Sequence, residues 1–197
     1  NGNIYTIDYD NGNYTLVKTQ SFGSIYNRYS ASLYDVDNDG TKEIISGDWN
    51  SGSGGNVYLY VKDADSLVSH MIASLSDLGI TRIAGGSTGD INGDGNMDIV
   101  VASFGTDKIG RISYNGGSIT DAGSYTTSLL DEGILLNPDN AFLHKVKIAD
   151  LNNDGSDEII YSGLDSGDGE APIVIGSYAD TLKAASGSRW DISIANN

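Results

Sequence analysis

Residues 35–45 read Asp-Val-Asp-Asn-Asp-Gly-Thr-Lys-Glu-Ile-Ile, an acidic run that ends in two β-branched residues. The pattern returns without gaps at residues 90–100 and again at residues 150–160. The three starts lie 55 and 60 residues apart (35 to 90, then 90 to 150). Self-similarity at such an interval is typical of arrays in which each unit is one supersecondary element, so this repeat decides the fold class.

A second, weaker repeat lies between the acidic runs. Residues 2–5 (Gly-Asn-Ile-Tyr) resemble residues 55–58 (Gly-Asn-Val-Tyr), residues 110–114 continue the series, and residues 171–175 fall where a fourth copy is due. Each unit is therefore predicted to be a hairpin with the acidic loop, followed by a hairpin of plain strands. We expect a half unit at 1–20 and repeats at 21–78, 79–135 and 136–197, about three and a half units in a single region that is part of a larger ring or assembly.

Short β-branched runs bounded by small and acidic residues follow each acidic loop and favour strands: Ile44-Ile45, Ile99–Val101 and Ile159–Tyr161. Residues 57–61 (Val-Tyr-Leu-Tyr-Val) are too continuously apolar for an amphipathic helix and favour a buried strand. Residues 67–78 have a pattern that also allows a helix. Four strands per unit at this interval predict an all-β fold, a β-propeller-type array of four-stranded blades with the acidic loop in the first hairpin of each unit.

The composition restricts the partners. The chain has 27 Asp plus Glu against 11 Lys plus Arg, a formal net charge of −16. Such a surface repels nucleic acid and anionic membranes, whose binding depends on Lys and Arg, so cations are the expected partners. Cysteine is absent, so the chain has no disulfides and no thiolate chemistry. No apolar run is long enough for a membrane span.

The spacing of oxygen-bearing residues in each run matches the coordination of calcium, which takes about six to eight oxygen ligands. Side chains at positions 1, 3 and 5 of a tight loop point inward, glycine at position 6 permits the turn, position 7 offers a backbone carbonyl and the acid at position 9 closes the cage. We expect about three ions, and the first site, with four carboxylates, should bind most tightly. The predicted ligands are Asp35, Asp37, Asp39, Thr41 and Glu43; Asp90, Asn92, Asp94, Asn96 and Asp98; and Asp150, Asn152, Asp154, Ser156 and Glu158.

Two other interpretations of the loops fit the sequence less well. An EF-hand needs an acid at position 12, where this chain has Ser46, Val101 and Tyr161, and it needs a helix afterwards. Ordinary Asp-Gly turns are common between strands and form the remaining alternative. Three copies in register favour metal binding, because carboxylates so close together repel one another unless a cation neutralises them.

In these motifs the chain resembles the FG-GAP and VCBS repeats of integrin-alpha-type β-propellers, whose signature is Asp-x-Asp-x-Asp-Gly-x-x-Asp followed by an apolar strand. The small residue expected four positions after the last acid is present as Gly47, Ala102 and Ser162. The resemblance implies a calcium-dependent extracellular or cell-surface module with a structural or recognition role, such as adhesion or the binding of carbohydrate or protein. It implies a module without enzymatic activity.

Other constellations give weaker signals. Residues 85–89 (Gly-Gly-Ser-Thr-Gly) match the Gly-x-Ser-x-Gly nucleophile elbow in composition, but they lead into an acidic loop instead of a helix. His70 and His144 have no ligand-like spacing. The acidic residues 165–170 fit a fourth cation site or a solvated turn, and Trp49, Trp190 and the tyrosines fit strand packing or a sugar-stacking platform.

Two alternative functions stay open on the sequence. A self-assembling subunit of a surface filament or layer would pair its N-terminal hairpin with another copy by strand addition. A catalytic or non-catalytic part of a polysaccharide-acting enzyme would need, for catalysis, a pocket with carboxylates outside the three loops.

Overall fold

The computed structural model describes residues 2–22, 31–48, 54–63, 66–106, 108–132, 141–165 and 173–176. Within these ranges the chain forms strands and two short 3₁₀ helices, at Ser76–Leu78 and Ala122–Ser124, and no α-helix. The prediction of an all-β fold is therefore confirmed. No helical segment in the described part is long and apolar enough to cross a membrane.

The strands form one two-stranded hairpin and three larger antiparallel sheets. The first hairpin is β1–β2, sheet I has the order β3-β4-β5-β6, sheet II β7-β8-β9-β10 and sheet III β11-β12-β13. Residues after 176, where a fourth strand of sheet III is predicted, lie outside the described ranges. The strands are β1 (Gly2–Asp10), β2 (Asn13–Phe22), β3 (Ala31–Tyr34), β4 (Glu43–Gly47), β5 (Asn56–Asp63), β6 (Ser66–Ser74), β7 (Ile83–Gly89), β8 (Asp98–Ser103), β9 (Lys108–Tyr114), β10 (Tyr125–Glu132), β11 (Ala141–Ala149), β12 (Glu158–Asp165) and β13 (Ile173–Gly176).

The segment that allowed a helix forms a strand instead. Residues 66–74 pair along their whole length with β5, and only the last turn, Ser76–Leu78, is helical. Pairing with β5 buries Leu67 and Ile72 in two different apolar clusters. The local sequence pattern does not discriminate between helix and strand, so the burial of these side chains decides the structure.

The described hairpins are of two kinds. The loop-bearing hairpins are β3–β4, β7–β8 and β11–β12, and the plain hairpins are β1–β2, β5–β6 and β9–β10. In all three plain hairpins the second strand has one extra residue, and the shift follows Ile4, Val57 and Ile109 of the first strand. This common bulge makes these three residues equivalent, and it identifies the first hairpin as the plain half of a unit.

The bulge corrects the weak repeat deduced from sequence. That repeat aligned Gly110 with Gly55, which places Ile112 against Val57. In the structure Ile109 pairs with Ala102 as Val57 pairs with Gly47, so the alignment was displaced by three residues. Isoleucine occurs at both 109 and 112, and only the strand pairing shows which of them holds the register.

Neighbouring sheets pack against each other in chain order. The first hairpin lies beside sheet I, sheet I beside sheet II, and sheet II beside sheet III. The core between sheets I and II includes Val57, Leu59 and Ile83. A separate core between sheets II and III includes Val100 and Ile159.

Glycines allow the sheets to approach closely. A methyl group at Gly47 of sheet I would overlap the side chain of Ile83 in sheet II. A methyl group at Gly89 of sheet II would overlap Ile148 in sheet III. An isoleucine of the following sheet thus fills the space that a side chain would take.

We expect Gly47→Ala to destabilise the protein by about 1–3 kcal/mol, because the new methyl group overpacks the junction of sheets I and II. Urea unfolding measures the loss. Gly123→Ala is the matched control, since its methyl group would meet nothing closer than the Asp121 carboxylate at 3.4 Å. Equal losses in the two variants would contradict the close approach described for Gly47.

Candidate metal sites

Three acidic loops connect the strands of the loop-bearing hairpins. Loop 1 (35–42) joins β3 to β4, loop 2 (90–97) joins β7 to β8, and loop 3 (150–157) joins β11 to β12. Each loop is numbered here from its first acid, so that position 9 is the first residue of the following strand. The three loops have closely similar backbone hydrogen bonding.

The acid at position 1 organises each loop. One oxygen of Asp35 accepts a hydrogen bond from the backbone N–H of Asp39 (2.9 Å) and the other accepts from Gly40 N–H (2.8 Å). Asp90 does the same in loop 2, at 3.1 and 2.7 Å. Asp150 does so in loop 3, at 3.2 and 3.0 Å. Charge-assisted bonds of this kind are about twice as strong as neutral ones, so the carboxylate fixes the turn.

The acid at position 5 is oriented in a similar way. Asp39 accepts a hydrogen bond from Thr41 N–H at 2.7 Å. In loops 2 and 3 the equivalent bonds run from Asn96 to Asp94 (2.7 Å) and from Ser156 to Asp154 (2.9 Å). The backbone N–H at position 7 thus holds the position-5 carboxylate over the loop.

Two positions in every loop adopt left-handed backbone conformations. Position 6 is Gly40, Gly95 or Gly155, with φ between 84° and 91°. Position 4 is Asn38, Gly93 or Asn153, with φ between 58° and 71°. Glycine and asparagine tolerate this region best, which explains the choice at both positions. Sequence reasoning identified position 6 and missed position 4, although the signal, asparagine or glycine in all three copies, was present.

The acid at position 9 has two different arrangements. Glu43 accepts a hydrogen bond from Val36 N–H (3.1 Å), and Glu158 accepts one from Leu151 N–H (2.8 Å). Asp98 has a shorter side chain and forms instead a bidentate ion pair with Arg111 on β9, at 2.8 and 2.9 Å. Asp98 also accepts a hydrogen bond from the Ser113 hydroxyl at 2.7 Å. All three acids are buried.

Loop 1 brings together the most negative charge. Carboxylate oxygens of Asp35, Asp37 and Asp39 all lie within 4.8 Å of one another, and this is the only such group of three metal-ligating side chains among the described residues. Burial raises the pKa of Glu43 above its usual range, and the nearby charges of Asp37 and Asp39 raise it further. The loop therefore holds its acids in a mutually repulsive arrangement.

Loops 2 and 3 relieve part of this repulsion internally. The amide of Asn92 donates a hydrogen bond to Asp94 (2.8 Å), and that of Asn152 donates to Asp154 (2.9 Å) and to Glu158 (3.0 Å). Hydrogen bonds from the Asn96 backbone and the Asn92 amide, together with the more distant charge of Arg111, lower the pKa of Asp94. An amide at position 3 thus supplies a donor where loop 1 has a third acid.

The three loops lie side by side. The side-chain amide of Asn38 in loop 1 donates a hydrogen bond to the carbonyl of Gly95 in loop 2 at 3.2 Å. Loops 2 and 3 are joined twice: Asp90 N–H donates to the Asp157 carboxylate (2.9 Å), and Asp157 N–H donates to the Asp90 carbonyl (3.0 Å). The acidic loops therefore form one continuous surface along one end of the sheets.

All fifteen predicted ligand residues lie in or directly after these loops, and their metal binding stays a prediction. Arg111 and Asp157 were missed by sequence reasoning. Arg111 follows Asp98 by 13 residues, so that only strand pairing reveals the ion pair. Asp157 occupies position 8, which is Lys42 and Met97 in the other copies, so the repeat gave no signal for it.

The structure also describes some of the weaker sequence signals, namely the Gly-x-Ser-x-Gly segment and the two histidines. The nucleophile-elbow interpretation of residues 85–89 is wrong, because these residues lie within β7 and Ser87 is buried beside the hydroxyl of Tyr34. His70 lies on β6 of sheet I and His144 on β11 of sheet III. Trp49, Trp190 and residues 166–170 lie outside the described residues.

Residues 90–161 match the FG-GAP-like repeat family model. This region begins at Asp90, the first acid of loop 2, and ends at Tyr161 within β12, the strand that follows loop 3. The resemblance to FG-GAP repeats deduced from the acidic loops is thereby confirmed for residues 90–161. No curated protein matches the sequence.

We expect Glu43→Gln to keep or raise stability in the absence of calcium and to lower the stabilisation that calcium provides. A carboxyl group with a raised folded pKa binds its proton more readily when folded than when unfolded. Above the ordinary carboxyl pKa its ionisation therefore opposes folding, and its contribution improves as pH falls through the folded pKa. Glutamine mimics the protonated form and can still accept from Val36 N–H. Thermal unfolding in chelator and in calcium measures both effects, and a clear loss of stability in chelator would contradict this account.

We expect Arg111→Met to destabilise the calcium-free protein by about 3–5 kcal/mol, because Asp98 is left buried without its cation. The double variant Arg111→Met/Asp98→Asn should recover most of the loss, since asparagine carries no charge and can still accept from Ser113. Urea unfolding of the single and double variants tests this coupling. Similar losses in both would show that the ion pair is not the cause.

Proposed function

We propose that loops 1, 2 and 3 bind calcium, and that the chain is a non-enzymatic, extracellular β-propeller-type module with a structural or recognition role. The observation that carries the proposal is the cluster of Asp35, Asp37 and Asp39, whose carboxylate oxygens lie within 4.8 Å of one another. Calcium accepts an irregular shell of about six to eight oxygens, so a cluster of carboxylates without octahedral symmetry suits it. Magnesium demands stricter octahedral geometry and should bind more weakly.

The loops are organised in advance for a cation. Backbone N–H groups fix the carboxylates at positions 1 and 5 in all three loops. A carboxylate oxygen that accepts one such bond keeps a further lone pair for a metal. Little ordering is then required when the ion binds, which favours affinity.

The three sites should differ in strength. Loop 1 has four carboxylates and an acid at position 3, so it gains most from a cation. Loop 3 has three carboxylates and an asparagine that already bridges two of them. Loop 2 should bind least tightly, because Asp98 would have to leave Arg111 to act as a ligand. The expected order is therefore loop 1, loop 3, loop 2.

Calcium at these loops would stabilise the junctions between sheets. Asn38 connects loop 1 to loop 2, and Asp90 and Asp157 connect loop 2 to loop 3. An ion that fixes one loop therefore restricts its neighbour. In a chain without cysteine, such ions take the place that disulfides hold in many extracellular domains.

The propeller-type architecture and the extracellular recognition role rest on a second set of observations. Sheets I and II are four-stranded and antiparallel, and the sheets pack on one another in chain order, as propeller blades do. FG-GAP-like repeats suggest a recognition module. An open polar cleft lies beside loop 2, lined by residues that include Asn92, Asn115 and Thr126, and it is the candidate place for a polar ligand such as a glycan.

Thermal unfolding in calcium and in excess chelator is the direct test. If each site binds at about 0.1 mM, about 10 mM calcium adds roughly 2.7 kcal/mol per site. Three sites would raise the unfolding midpoint by more than about 10 °C, with magnesium much weaker. Asp35→Asn should lose the contribution of loop 1, whereas Asp77→Asn, an exposed acid outside the loops, should respond to calcium as the wild type does. No shift with calcium would mean that the loops are ordinary turns.

A further inference from the structure

Loop 2 differs from loops 1 and 3 in the strand that faces its position-9 acid. Strand pairing makes Arg111 on β9 equivalent to Leu59 on β5 of sheet I and to Ile175 on β13 of sheet III. Ser113 is likewise equivalent to Val61 of sheet I. Two polar residues thus lie on β9 where β5 has two aliphatic ones. Among the three sheets, a cationic residue occurs at this position in sheet II alone.

Both polar residues bind the position-9 acid. The guanidinium of Arg111 donates to both carboxylate oxygens of Asp98 at 2.8 and 2.9 Å, and the Ser113 hydroxyl donates to one of them at 2.7 Å. A carboxylate has about four acceptor positions, so these three bonds occupy most of those of Asp98. Asp98 is 2% exposed and Arg111 is 8% exposed, so solvent ions screen this pair little.

In loops 1 and 3 the position-9 acid stays with its own loop. Glu43 accepts a hydrogen bond from Val36 N–H, and Glu158 accepts one from Leu151 N–H. Each of these donors is at position 2 of the same loop. The opposite strand has leucine or isoleucine where β9 has Arg111. The position-9 acid therefore has a cationic partner in loop 2 and a backbone partner in the other two loops.

The positive charge of Arg111 also reaches the loop itself. Arg111 lines the polar cleft beside loop 2 together with Asp94 and Asn96. The pKa of Asp94 is lowered mainly by hydrogen bonds from the Asn96 backbone and the Asn92 amide, and the charge of Arg111 lowers it further. In loop 1, burial raises the pKa of Glu43, and neighbouring carboxylates raise it further. Loop 2 thus has a positive charge that offsets its acids, whereas the acids of loop 1 repel one another.

We propose that Arg111 is the resident cation of loop 2, which keeps the loop ordered without calcium and sets its calcium affinity well below that of loops 1 and 3. Asp98 becomes a metal ligand only after it leaves Arg111. This exchange leaves a buried guanidinium without its carboxylate, which is costly. The effect on affinity rests on the proposed calcium sites, whereas the effect on order needs only the ion pair.

Loop 2 lies between the other two loops. Asn38 of loop 1 donates to the Gly95 carbonyl, and Asp157 of loop 3 accepts from Asp90 N–H. A central loop that carries its own cation gives both outer loops a fixed neighbour when calcium is scarce. The row of loops therefore has one permanently ordered member and two members whose order depends on calcium.

Amide hydrogen exchange in excess chelator, followed by NMR, tests the effect on order. Gly95 N–H and Gly155 N–H donate to the position-1 acids of loops 2 and 3, and both loops have asparagine at position 3. In the wild type Gly95 N–H should exchange about tenfold more slowly than Gly155 N–H, because the ion pair opposes local opening of loop 2. In Arg111→Gln the two rates should become similar. Equal rates in the wild type, or a ratio that the substitution does not change, would overturn the proposal.

A calcium titration followed by the same amide signals tests the effect on affinity. In the wild type the Gly95 signal should respond at calcium concentrations about tenfold or more above those that move Gly155. Arg111→Gln should lower the midpoint at Gly95 by about tenfold, and Arg111→Lys, which keeps the charge, should leave it high. Arg82→Gln is the matched control, because it removes the same charge and Arg82 precedes β7 at the end opposite to loop 2.

The two effects can fail separately. If no loop responds to calcium, the calcium proposal fails, and hydrogen exchange still decides whether Arg111 orders loop 2. If loops 1 and 3 respond but Arg111→Gln keeps the wild-type midpoint at Gly95, or Arg82→Gln lowers that midpoint equally, the role of Arg111 in affinity is overturned. Circular dichroism confirms that the variants are folded. The wild-type exchange rates and midpoints decide the matter if Arg111→Gln does not fold.

Discussion

The structure depends on one interaction that occurs three times: the carboxylate at loop position 1 accepts hydrogen bonds from two successive backbone N–H groups four and five residues later. This contact closes each acidic loop and fixes the direction of the strand that follows. The strand then presents its position-9 acid beneath the loop and its small residue toward the neighbouring sheet. The site and the sheet junction are thus set by the same few residues, Asp35 to Gly47 in the first copy.

The three loops share a backbone and differ in how they balance charge. Loop 1 leaves its acids facing one another, and the pKa of Glu43 is raised mainly by burial and also by its neighbours. Loops 2 and 3 use an asparagine at position 3 as an internal donor. Next to loop 2, Arg111 on β9 pairs with Asp98, and the equivalent position in sheet I is Leu59. The copies have kept a common geometry while varying the amount of negative charge left for a cation.

The sequence predicted what is encoded locally. Acid spacing and glycine at position 6 specified the loops, and β-branched runs specified the strands after them. The register of the strands could not be predicted from the sequence alone, because Ile109 and Ile112 are indistinguishable until β9 is paired with β8. The ion pair of Asp98 with Arg111 and the link of Asp90 with Asp157 join residues that are distant in sequence, so no local pattern announced them. The segment 66–74 formed a strand because β5 offered it a partner.

The link between Asp90 and Asp157 has a consequence for folding. It spans 67 residues of sequence, so loop 2 is completed only after sheet III has formed and docked. Contacts between residues so far apart in sequence form more slowly than local ones, because the chain between them must be closed first. During synthesis, sheet II would exist for a time with loop 2 lacking the carboxylate that holds Asp90 N–H. The hydrogen bonding of loop 2 is thus completed only when the next unit has docked, so the units of the array become ordered one after another along the chain.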